Sequence, residues 1–125
     1  MKKTVRTPQA PQPAGPYSQG IEMGGFLFTA GFGPQDPVSG TMADNVGDQT
    51  RQVLRNIENV LRARGLDLDD VVKVTAHLAH LTEDFAEYNA AYGEFFKDPF
   101  PVRTTVGSTL PGILVEIDVV AALRN

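Results

Sequence analysis

Cysteine is missing from all 125 residues, and with it go disulfides, thiol catalysis and cysteine-ligated metal centres. No apolar run approaches the roughly 20 residues needed to cross a bilayer. Lys2 and Lys3 are not followed by the apolar core of a secretion signal, so a cytoplasmic protein with no membrane partner is expected. Excess positive charge is lacking too: 11 Lys and Arg face 15 Asp and Glu, for a net charge of −4. The basic residues are scattered rather than clustered, and no nucleic-acid partner is expected. Histidine occurs only twice. His77 and His80, three apart in what reads as one strand, point to opposite faces and cannot pair about a metal, so no metal site is expected. Gly31-Phe32-Gly33 lacks the strand-turn-helix setting of a dinucleotide fingerprint, and no nucleophile elbow or kinase signature occurs.

What remains is 42% apolar, enough to bury a core, and no break in composition divides it. The stretch from Pro8 to Gly20, rich in Pro, Ala and Gln at its start, reads as loop. Ile21 to Met23 and Phe26 to Ala30 read as strands joined by a Gly24-Gly25 turn. The glycines and prolines from Gly31 to Gly40 exclude helix or central strand, and the segment is long enough to line a site. From Val46 to Arg64 the apolar period is helical, with Val53, Leu54, Ile57, Val60 and Leu61 on one stripe. Val72, Val74, Ala76 and Leu78 then alternate with Lys73, Thr75 and His77, the pattern of a half-buried strand. Thr82 is the expected N-cap of a second helix, from about Glu83 to Phe96. Strands from Val102 to Gly107 and from Ile113 to Ala122 complete a β-β-α-β-α-β-β order. That order predicts one α+β domain over residues 1–125, with both helices on one face of a mixed sheet.

Alternation in the last two strands separates Val102, Thr104 and Val106 from Arg103 and Thr105. It likewise separates Val115, Ile117 and Val119 from Glu116 and Asp118. One sheet face should pack on the helices; the other is chemically mixed, and Arg103 and Thr105 are assigned to it. A mixed face carrying branched apolar residues predicts a subunit interface.

Three residues stand out for their chemistry. Arg103 carries a permanent cation with a planar fork of donors suited to a carboxylate. On position alone, a solvated or ion-paired strand arginine is the ordinary reading. Glu116 is either a general base that positions water or the structural ion partner of Arg103. Asn89 shares the inward arc of the second helix with Phe85, Tyr92 and Phe96, with Tyr88 nearby. It is either a core amide tying down a loop or a substrate contact. The aromatics themselves read as core.

The runs Ala14-Gly15-Pro16-Tyr17-Ser18-Gln19-Gly20 and Thr29-Ala30-Gly31 are followed by Tyr88-Asn89 to Phe95-Phe96, Pro101-Val102-Arg103-Thr104 and Val115-Glu116-Ile117. In that order they resemble the RidA family of reactive intermediate deaminases, also called YjgF or L-PSP proteins. The resemblance covers nearly the whole chain. It implies a chorismate-mutase-like fold with a mixed six-stranded sheet, assembled as a homotrimer with active sites between subunits. The implied reaction is cofactor-independent hydrolysis of 2-imino or enamino acids, of the 2-iminopropanoate and 2-iminobutanoate type, to keto acids and ammonia. By motif, Arg103 would clamp the substrate carboxylate, Glu116 would hold or activate water, and Tyr17 would close the pocket near the reacting carbon. Asn89 would shape the pocket, and the backbone near Gly31 and Thr105 would add polar contacts. The chain departs from the family pattern at Ala30, where Ser is frequent, at Thr105, where Cys is frequent, and at Phe32, where Gln is frequent. Phe32 is thereby expected at a more apolar substrate-binding rim, and with these departures imine hydrolysis is expected to survive while preference shifts toward bulkier or more apolar imines. Other functions open to the same resemblance are a pathway-specific enamine deaminase of the 2-aminomuconate type, a regulatory module that binds a keto acid without turnover, and an endoribonuclease.

Overall fold

A computed structural model describes residues 1–124. In chain order the elements are β1 (Lys3–Val5), β2 (Gly20–Met23), β3 (Phe26–Thr29), α1 (Val46–Arg62), β4 (Val71–Leu78), α2 (Leu81–Gly93), β5 (Val102–Gly107) and β6 (Val115–Ala122). The strands form one mixed six-stranded sheet in the order β1-β2-β3-β6-β4-β5. Among the described residues, only β4 and β5 pair in parallel, through the α2 crossover; β6 is inserted antiparallel between β3 and β4. Both helices lie on one face, as the element order predicts.

Local chemistry accounts for these elements. Gly24 and Gly25 both adopt positive φ, 64° and 86°, the twist that a two-residue hairpin between β2 and β3 requires. Helix α1 starts on Asn45, whose side chain accepts from the Asp48 N–H at 2.8 Å. Its stripe of Val53, Leu54, Ile57, Val60 and Leu61 is fully buried against β3 and β6. Opposite it lie Leu27, Val74, Ala76, Val115, Ile117 and Val119, also buried.

Four expectations are corrected. Strand β1 is unforeseen, because three residues are too few to show alternation. A bulge between Val71 and Lys73 shifts the register at the start of β4, turning Val71 inward and leaving Val72 exposed. Helix α2 begins at Leu81 with His80 at its N-cap and no capping side chain, so Thr82 lies inside the helix. His80 is consequently not a strand residue, and the opposite-faces reading of the two histidines does not apply.

Among the described residues, no helix lies over the second face of the sheet. Met23, Phe26 and Phe28 lie there at 51%, 40% and 44% exposure, and Val102 at 66%. No helix among the described residues is long and apolar enough to cross a membrane.

Candidate active site

Arg103 pairs in register with Val74, which pairs with Val119 on its other side. Residues directly opposite share a face, so Arg103 projects to the helix side, at the open edge of β5. There it meets α2. Phe85, Tyr88, Asn89 and Tyr92 fall at i, i+3, i+4 and i+7, which lines them along the helix flank nearest that edge. The guanidinium carbon lies 4.6 Å from the Tyr92 ring centre and 5.5 Å from that of Tyr88, within cation–π range. Nη1 donates to Asn89 Oδ1 at 2.8 Å. Two residues along, the Thr105 hydroxyl is hydrogen-bonded with Tyr88 Oη at 3.0 Å.

This corner opens into a cleft of about 440 Å³ lined by Asn89, Tyr92, Gly93, Phe100, Pro101 and Arg103. Arg51, Arg62, Arg64 and Arg124 all pair with carboxylates of the chain. Among the described residues, none pairs with Arg103. A neutral amide orients its guanidinium without cancelling its charge. Below it, the Tyr92 hydroxyl is buried and has no hydrogen-bond partner. Burial pushes its pKa up to about 12, against the pull of the Arg103 charge.

Glu116 stands elsewhere. It pairs in register with His77, across from Val106, on the sheet face that no helix covers. Its carboxylate lies over Gly31, where a Cβ would collide with Glu116 Oε1 and stand 3.0 Å from Cδ. Gly31 is held there by its neighbour: Phe32 N donates to Ile117 O at 2.8 Å, and Ile117 N to Phe32 O at 3.2 Å. The Tyr17 loop reaches the same region, since Ala30 N donates to Gln19 O at 2.9 Å. Tyr17 is 51% exposed, and its hydroxyl accepts from Ala14 N at 3.2 Å. The Gln19 amide anchors the loop from within, accepting from Thr7 N at 2.7 Å and donating to Pro11 O at 2.9 Å.

The chain therefore carries the candidate residues in two separate groups. Arg103, Asn89 and Thr105 are together on the helix side; Glu116 and Gly31 are together on the other side, with the Tyr17 loop tied to them. Arg103 and Glu116 are separated by two strand spacings, about 10 Å, and by three residues of register, about 10 Å more. One small substrate cannot touch both within a single chain, and the two are not an ion pair.

Three placements differ from expectation. Arg103 and Thr105 lie on the helix-covered face, not on the mixed face with Glu116. Asn89 is exposed at the cleft rim rather than buried in the core. Phe32 is only 5% exposed and belongs to the hydrophobic core, so it is not a rim residue. Its backbone is pinned to β6, and that pairing turns its ring inward beside Ile117.

Several supports are invisible to a reading that treats polar helix residues as solvated. Gln49 and Asn56 are buried on α1. Gln49 Nε2 donates to Ala43 O at 2.8 Å, and Leu114 N donates to Gln49 Oε1 at 2.9 Å. Asn56 Nδ2 donates to the carbonyls of Gly33 and Gln35 at 3.1 and 2.9 Å. Their spacing alongside Val53 is the available signal, since i, i+4 and i+7 share a flank.

Residues 7–123 match the family described as Endoribonuclease L-PSP. The chain belongs to that family. A RutC family protein of Pyrococcus horikoshii is 47% identical over 124 residues, spanning 97% of this chain and 98% of that protein. A protein of Salmonella typhimurium named 2-iminobutanoate/2-iminopropanoate deaminase is 40% identical over 129 residues, 99% and 100% of the two chains. Among solved structures, Escherichia coli TdcF with bound serine superposes with a TM-score of 0.91 at 35% identity, covering 98% of this chain and 99% of that one. The L-PSP fold is thus shared from end to end.

Proposed function

We propose that this L-PSP-family chain is an imine deaminase that converts 2-imino acids to 2-keto acids and ammonia. The observation that carries the reading is Arg103: a cation in a cleft, stacked on Tyr92, oriented by neutral Asn89 and, among the described residues, left without a carboxylate partner. Such a group is preorganised for the carboxylate of a ligand. The relative named as a deaminase and the TdcF structure with bound serine support a small carboxylate-bearing ligand.

Arg103 holds the carboxylate and fixes C2 of the protonated imine. Water attacks C2 while its proton passes to the Glu116 carboxylate. The resulting carbinolamine takes that proton on nitrogen, the C–N bond breaks as ammonia leaves, and the hydroxyl proton passes by way of the Glu116 carboxylate to the ammonia, which departs as ammonium while the keto acid remains. Water and the imine balance the reaction by themselves. Fixing a carboxylate and a water against an already electrophilic carbon supplies much of the required rate. Because Arg103 and Glu116 cannot meet within one chain, the half-sites are completed between subunits of a homotrimer. The uncovered sheet face, with Phe28 and Val102, supplies the interface. Acidic residues outnumber basic ones, 15 to 11, which weighs against RNA as the main ligand.

The test is ammonia release or semicarbazone trapping on imines generated in situ from several amino acids. Wild-type protein should accelerate hydrolysis, and Arg103→Ala should remove about tenfold to a hundredfold of the effect, the worth of a charged hydrogen bond. Equal rates with and without protein overturn the reading.

A further inference from the structure

A second arginine repeats the arrangement at Arg103. Arg6 follows β1, on the side of the chain that alternates with buried Val5. Its Nε donates to Gln12 Oε1 at 3.0 Å, again a neutral amide, and among the described residues no carboxylate pairs with it. It lines a pocket of about 350 Å³ whose wall also includes Thr4, Gln12, Tyr17 and Ser18. The nearest ion pair of the sheet edge, Glu22 with Arg64, is made on the other face, because Glu22 pairs in register with Lys3 rather than with Thr4.

Arg6 thus presents an uncancelled guanidinium in the same pocket as Tyr17, beside the Thr4 and Ser18 hydroxyls. Orientation by an amide holds a cation in place and leaves its charge for a ligand. We infer that the Arg6 pocket is an anion subsite for the second carboxylate of a dicarboxylic 2-imino or 2-keto acid, one carboxylate going to Arg103 of one subunit and the distal one to Arg6 of the neighbouring subunit that supplies Tyr17 and Glu116. This rests on the reading of Tyr17 as part of the reaction site, and it names the substrate class of that site.

Direct binding tests this separately from catalysis. Pyruvate and 2-oxoglutarate are titrated calorimetrically into wild-type protein, Arg6→Ala, Gln12→Glu and Arg103→Ala. Wild type should bind 2-oxoglutarate about tenfold or more tightly than pyruvate, the range of a charge-assisted hydrogen bond. Arg6→Ala should bring that ratio close to one. Gln12→Glu should do the same by placing a carboxylate on Arg6 while keeping the side chain. A wild-type ratio near one, or a ratio unchanged in both pocket variants, overturns the inference. Loss of both ligands in Arg103→Ala with the ratio flat in wild type would leave the carboxylate anchor standing and sink only the Arg6 subsite. Undiminished binding in Arg103→Ala would instead sink the anchor.

Discussion

The guanidinium of Arg103 is held by an amide, and the difference between an amide and an acid there is testable. Asn89→Asp keeps the shape and adds a carboxylate at the atom that accepts from Nη1. Ligand carboxylate affinity should then fall about tenfold with the fold intact, read by keto-acid titration and circular dichroism. Tyr92 separates ring from hydroxyl. Its buried hydroxyl bonds to nothing, so Tyr92→Phe should leave stability unchanged or raise it by about 1 kcal/mol in denaturant melts. A drop of similar size would show that the hydroxyl has a partner. Asp118 gives a pH dependence. Burial raises its pKa above the ordinary Asp value, with His77 and Lys73 pulling the other way. The native state then binds this proton more tightly than the unfolded chain does. Stability from this group is therefore full below the ordinary value and declines as pH rises through the raised one. Asp118→Asn should melt higher than wild type at neutral pH and lose the decline above about pH 4.

Between residue and molecule, helix α1 does two jobs that its sequence distributes over one flank. Its apolar stripe packs on the sheet, and its buried amides hold the segment that carries Gly31. Asn56 is fully buried, with both Nδ2 bonds on loop carbonyls. Asn56→Ala strands those carbonyls, and a cost of about 2 kcal/mol is expected in urea unfolding. Because the same loop sets Gly31 under Glu116, the variant should also lose imine-hydrolysis rate at temperatures where it stays folded. The helix periodicity of α1 is fully legible in the sequence, since the stripe residues recur at the helical period. The role of Asn56 is not, because an amide among leucines and valines acquires partners only once the Gly33–Gln35 loop is folded over it.

At the scale of the proposed homotrimer, one chain holds the two parts of the proposed site on opposite faces of one sheet. Variants inactivated at different halves should therefore rescue each other. Arg103→Ala and Glu116→Gln, each deficient alone, should regain about a quarter of wild-type activity when equal amounts are unfolded and refolded together, the fraction of intersubunit sites with both halves intact under random mixing. No recovery above the separate variants would place the site within one chain. Phe28→Glu together with Val102→Glu puts charge on the uncovered face, and sedimentation should then report monomers without activity.

The sequence by itself determined the α+β class, the position of both helices, the Gly24-Gly25 hairpin and the motif residues of the L-PSP family, because periodicity, glycine geometry and residue chemistry are local properties. It also placed Arg103 and Glu116 on alternating positions of their strands. Which face each position meets was decided only by the tertiary structure. Alternation defines two faces but not which one a helix covers; that depends on strand order and register, here β6 inserted between β3 and β4 and Arg103 paired with Val74. The same register carried Phe32 into the core and left Asn89 at the rim. It parted Arg103 from Glu116, and the proposed deaminase site therefore needs one residue from each of two subunits.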